Sequence, residues 1–155
     1  MTTTEATTQT TTQTPAPTGP ALTGIQHVGL TVRDVEASAE WYGRVLGLQR
    51  QFEEAHHHSD QGGYAVVMGT PDMSMNVGLD HHPAHDDNGF DPARTGLDHL
   101  CFQVADVGAL TTWATHLDDH GITHSGVYPM SGMPISLLTF TDPDGIQLEL
   151  IAFGS

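Results

Sequence analysis

The sequence has a single cysteine, Cys101, no lysine and only four arginines, and none of its apolar runs approaches the about 20 residues that a membrane-spanning helix requires. One cysteine can form neither an internal disulfide nor a Cys-rich zinc site. Four cationic side chains face nineteen Asp and Glu, for a formal charge of −15, so the basic footprint that a phosphate backbone or an anionic lipid surface demands is missing. Nucleic-acid binding and membrane binding are not expected. A secretory leader would need basic residues followed by an apolar core of about 7–15 residues, and the Thr-, Gln- and Pro-rich start offers neither. The expectation is a soluble, cytoplasmic protein. With 155 residues, 37% of them hydrophobic, the chain can bury one core and not two.

What the chain does have is eleven histidines and an internal repeat. Residues 24–41 lie over 96–113 without a gap, and Gly24, His27, Val32, Asp34, Val35, Ala37 and Trp41 coincide with Gly96, His99, Val104, Asp106, Val107, Ala109 and Trp113. Each copy opens with two-residue alternation, His27, Gly29 and Thr31 on one side and Val28, Leu30 and Val32 on the other, which is the period of a strand. Asp34 and Asp106 stand where a helix N-cap belongs, and Val107, Leu110, Trp113, Ala114 and Leu117 follow at helical spacing until Gly121. Strand-like stretches come next at 48–54, 64–68 and 74–81. In the second half they fall at 122–124 with 127–128, at 135–140 and at 146–153.

Both halves therefore read βαβββ, an α+β architecture in which two modules pack into one curved mixed sheet. Residues 1–22 form a disordered tail whose apolar content cannot offset its ordering entropy. Residues 23–155 form a single domain, with module one at 23–82, a linker at 83–95 and module two at 96–153. The space cupped by the sheets is the natural cleft.

His27 and His99 occupy the same position in the two copies, among small or polar neighbours. Glu149 sits in an otherwise apolar C-terminal strand, where an unpaired carboxylate is costly. A divalent cation (Fe, Mn, Ni or Zn) answers that cost, since two imidazoles and a carboxylate give a facial ligand set with open positions. The competing reading is a pair of core histidines kept by duplication. His81 and Tyr128 are further candidates for acid–base or hydroxyl contacts, with Tyr64 beside them. His56, His57 and His58 read as a solvated loop, and His82 and His85 as a polar linker.

The His27 strand with its Asp34-capped helix, Trp41-Tyr42-Gly43, Leu46-Gly47-Leu48, Gly96 to His99, and the ending from Asp142 to Glu149 together resemble the vicinal oxygen chelate superfamily of glyoxalases, bleomycin-resistance proteins and extradiol dioxygenases. The likeness spans 23–153. It implies metal ligation by His27, His99 and Glu149, with Glu149 also in the catalytic set, and chelation of neighbouring oxygens of a small-molecule substrate in a homodimer. Many relatives add a fourth ligand on the last strand of the first module. Counting six residues from Pro71, as Glu149 lies six from Pro143, reaches Val77, with Asn76 and Gly78 beside it. The expected site is thus a three-ligand one. The leading expectation is a lyase or isomerase that stabilises an oxyanion or enolate. An Fe(II) extradiol-type dioxygenase and a metal-free drug-binding protein of the bleomycin-resistance type are the alternatives.

Overall fold

In the computed structural model the described residues are 20, 22–56, 62–86 and 88–154. The expected tail lies almost wholly outside them, as do His57 and His58. The alternation after His27 becomes a short strand, β1 (Val28–Thr31), and Asp34 then caps helix α1 (Val35–Leu46) by accepting a hydrogen bond from the Ala37 amide at 3.0 Å. Gly47, left-handed at φ 70°, ends that helix. Strands β2 (Gln49–Ala55), β3 (Tyr64–Gly69) and β4 (Asn76–His81) complete the module.

The second module repeats the plan with β5 (Leu100–Gln103), α2 (Val107–Asp119), β6 (Tyr128–Pro129), β7 (Ile135–Thr141) and β8 (Gln147–Phe153). Asp106 caps α2 as Asp34 caps α1, accepting from the Ala109 amide at 2.8 Å. The strand expected at 122–128 is reduced to β6 and an isolated bridge between His124 and Phe140. The sheets are ordered β1-β4-β3-β2 and β5-β8-β7-β6, with β1 parallel to β4 and β5 parallel to β8. The two βαβββ modules are therefore present as read.

Each helix covers one face of its own sheet. Leu30, Val66, Val77 and Leu79 pack beneath Ala39, Tyr42 and Val45, while Leu138, Phe140, Leu148 and Leu150 pack beneath Leu110 and Leu117, all in one continuous core. The modules meet on this helical side: the rings of Trp41 and Phe140 lie 6.4 Å apart, and His116 Nε2 donates to the Val45 carbonyl at 2.9 Å.

The turn that launches β8 is clasped from the first module. Asp142, only 5% exposed, accepts from the amides of Asp144 and Ile146 and from the Tyr42 hydroxyl at 3.0 Å. Arg33 reaches Asp144 at 2.6 Å and the Pro143 carbonyl at 2.7 Å. Burial pushes the Asp142 carboxyl above its ordinary value despite the three donors. The folded state then binds this proton more tightly than the unfolded chain, so stability is lost as pH rises from the unfolded value through the raised one. Asp142→Asn, which keeps the acceptor and drops the charge, is expected to stay within about 1 kcal/mol of the parent at pH 7. Asp142→Ala, which strands the Tyr42 hydroxyl and two amides, is expected to lose about 2–4 kcal/mol. Urea unfolding of the three proteins at neutral pH checks this.

Candidate metal centre

The strand register decides which side chains face away from the helices. On the first sheet these are Gly29 and Thr31 of β1, Gly78 and Asp80 of β4, and Ala65 and Val67 of β3. On the second they are Cys101 and Gln103 of β5, Gln147, Glu149 and Ile151 of β8, and Leu137 and Thr139 of β7. His27 and His99 each stand one residue before a first strand, at the same alternation as Gly29 and Cys101.

Both imidazoles are oriented by the residue that precedes them. His27 Nδ1 is hydrogen-bonded to Gln26 Oε1, and His99 Nδ1 to Asp98 Oδ1 at 2.6 Å. Gln26 and Asp98 are repeat equivalents, and each offers an oxygen acceptor to Nδ1. An Nδ1–H held in this way leaves Nε2 with its lone pair as the ligating atom, the outer-shell pattern common to metal-bound histidine. The entry to β1 is fixed as well. Asn76, 4% exposed, donates from Nδ2 to the Gln26 carbonyl at 3.1 Å and to the Met73 carbonyl at 2.7 Å. Its Oδ1 packs against Gly69, where a Cβ would collide with it and with the Met75 carbonyl.

Glu149 lies opposite Cys101 in the parallel pairing of β5 with β8. Desolvation, together with the hydrogen-bonding and charge influence of the neighbouring Glu149, pushes the Cys101 thiol up to about 12. Cys101 is accordingly a neutral donor at physiological pH and a poor nucleophile. Among the described residues no salt bridge engages Glu149; Arg33, Arg50 and Arg94 are paired with other carboxylates. A cavity of about 250 Å³ is lined by Gln26, His27, Asn76, Cys101 and Gln103. His27 and Cys101 thus border one space, and neither His99 nor Glu149 is part of its lining. His27, His99 and Glu149 do not bring one ligand atom each to within 4.8 Å of one another. Among the described residues the one set of three potential ligands within 4.8 Å is His56, Asp80 and His82.

Tyr128, half-exposed, pairs with Leu137, which pairs with Ile151, and so stands on the Glu149 side of its sheet one row away. His81 alternates with Leu79 and Val77 and points to the helix side, its ring 5.3 Å from that of Tyr64. The residue facing the His27 side at the end of β4 is Asp80.

The register also corrects the count from Pro71. Gly29 pairs with Gly78 as Cys101 pairs with Glu149, so the first-module counterpart of Glu149 is Gly78 rather than Val77. The turn at 70–75 holds one residue more than the turn at 142–146, and Met73 takes it up at φ 56°. The expectation of no fourth ligand at this position is unchanged, since glycine offers no ligand atom.

Two imidazoles and one carboxylate are the donor types that suit a borderline divalent cation, and all three belong to sheet faces turned away from the helices. Known proteins share this architecture. The family model of the Glyoxalase/Bleomycin resistance protein/Dioxygenase superfamily matches residues 24–150. MhqA of Bacillus subtilis (strain 168), named as a putative ring-cleaving dioxygenase, is 24% identical over 129 residues, which are 83% of this chain and 40% of MhqA. The chain therefore spans about two fifths of that relative. A glyoxylase/bleomycin resistance protein/dioxygenase domain from Frankia sp. EAN1pec is 27% identical, with a TM-score of 0.74 over 86% of this chain and 93% of that one. The fosfomycin resistance protein FosX of Listeria monocytogenes, solved in a mutant form with Mn(II) and 1S,2S-dihydroxypropylphosphonic acid, has a TM-score of 0.60 at 12% identity. The match covers 87% of this chain and 93% of that one, a likeness of fold alone.

Proposed function

This chain belongs to the Glyoxalase/Bleomycin resistance protein/Dioxygenase superfamily, and we propose that it is a metal-dependent enzyme acting on a small molecule with two neighbouring oxygens. His27, His99 and Glu149 would hold the divalent ion, and His27 and Cys101 border the cavity in which the substrate would sit. The ion's contribution is Lewis-acid stabilisation of negative charge developing on the substrate oxygens. The chain's own residues do the rest. Gln26 and Asp98 fix the tautomers of His27 and His99, Asn76 fixes the approach of His27, and Cys101 supplies a neutral donor beside Glu149.

The observation that carries this reading is the repeated pairing of each first-strand histidine with an acceptor on the residue before it. A metal-free binding cleft has no use for two imidazoles that each meet an oxygen at Nδ1. Lyase or isomerase chemistry on a hydroxy- or oxo-carbonyl compound is the form proposed first. Gly29 and Gly78 leave the first-module side without the second base that a symmetric two-base proton transfer would use, which favours a one-base reaction. The similarity to MhqA favours Fe(II)-dependent ring cleavage as the second reading.

Oxygen uptake separates the two. Protein loaded anaerobically with Fe(II) and offered a panel of catechols should consume no oxygen, while the Mn(II)-, Ni(II)- or Zn(II)-loaded form turns over a hydroxy- or oxo-carbonyl panel. Stoichiometric oxygen uptake with ring opening would replace the lyase reading by the dioxygenase one. A metal content unchanged in His99→Ala would remove both. The homodimer is part of the proposal: Phe52 and Phe153, 44% and 56% exposed on the sheet sides away from the helices, are apolar surface that a second copy would cover.

A further inference from the structure

We propose that the first module carries a second divalent-cation site, formed by His56, Asp80 and His82 and separate from the set at His27, His99 and Glu149. His56 Nε2 lies 2.9 Å from Asp80 Oδ1, the His56 and His82 rings are 4.7 Å apart, and a ligand atom from each of the three falls within 4.8 Å of the others. The three come from two strand ends that are not neighbours. His56 follows β2 and His82 follows β4, with β3 between them in the sheet.

The intervening row is built to let them meet. Asp80 pairs with Ala65, and Ala65 with Glu54, so a methyl group is all that lies beneath the line from His56 to Asp80. On the other side, Asp80 Oδ2 stands 3.0 Å from where a Cβ on Gly29 would be and 3.3 Å from one on Gly78. Three small residues therefore form the floor on which this partly buried carboxylate rests. Asp80 is in register with Thr31, four residues along the chain from His27. At about 3.3 Å per residue, that is about 13 Å of strand, too far for the two sets to share one ion.

Two imidazoles and a carboxylate select zinc, cobalt or nickel over calcium or magnesium, which take oxygen-rich shells. An ion here joins the end of β2 to the end of β4 across β3, pinning the point at which the chain leaves β2. The site does not depend on the reaction proposed above, and the test keeps the two apart.

Untagged full-length protein, stripped with chelator, is titrated with Co(II) and followed by visible absorption and by bound-metal stoichiometry. The variant His27→Ala/His99→Ala/Glu149→Ala is expected to retain one equivalent. Adding Asp80→Ala or His82→Ala to it is expected to abolish that equivalent while the far-ultraviolet circular dichroism is unchanged. Failure of the triple variant to bind, or retention of its equivalent after Asp80→Ala and His82→Ala, overturns the site. The variant His57→Ala/His58→Ala in the same background should still bind. Loss of the equivalent there would mean that the histidine run itself gathers the ion, and would also overturn it. The step from wild type to the triple variant reads the proposed catalytic ion separately.

Discussion

Glu149→Ala is expected to remove one equivalent of bound divalent metal and to lower kcat/KM by about a thousandfold, which is roughly 4 kcal/mol of transition-state stabilisation. The same change is expected to leave the fold intact. Glu149 faces away from α2, its strand partner is Cys101, and no salt bridge among the described residues depends on it. Its truncation removes a partly buried anion and creates no cavity in the core. Elemental analysis beside steady-state kinetics and a thermal melt forms the check, with loss of metal and activity at a nearly constant Tm as the expected pattern. Glu149→Gln sharpens it, because the amide preserves shape while removing the charge. A Gln variant with full metal content and full activity would show that the carboxylate is not a ligand.

One residue earlier the expected outcome is the opposite. Leu148 is fully buried, lies between Leu100 and Phe140 in the sheet and belongs to the core beneath α2. Leu148→Ala is expected to cost about 3–5 kcal/mol, the transfer term of the lost methylene groups plus a cavity that a strand held between β5 and β7 cannot collapse. Against a total stability of about 5–15 kcal/mol for a domain of this kind, that is enough to bring the midpoint of urea unfolding down by a large fraction. Metal stoichiometry in the protein that remains folded should be unchanged. The contrast between adjacent positions follows from the alternation of β8, and Leu148→Met, which conserves volume, should recover most of the loss.

That alternation is legible in the sequence, and so is most of the architecture. His27 and His99 fall in register because the repeat from 24 to 41 carries its own ruler, and Asp34 and Asp106 mark both helix starts through the capping hydrogen bonds they make. Where the ruler fails, a turn has changed length. Counting from Pro71 reaches Val77 because it assumes equal turns, whereas the extra residue at 70–75, absorbed at Met73, moves the equivalence to Gly78. The His56–Asp80 contact is not legible for a different reason. It joins residues 24 positions apart across an intervening strand, and only the pairing of β2, β3 and β4 shows that Ala65 leaves the path clear. The signal that existed is the two-residue period running through Asn76, Gly78, Asp80 and His82, which puts Asp80, and not His81, on the side of His27.

The departure from exact repetition leaves the two flanks of the cleft chemically unlike. One flank presents bare backbone at Gly29 and Gly78, and the other presents a thiol at Cys101 and a carboxylate at Glu149. Whatever the cleft receives therefore meets room on one flank and polar groups on the other.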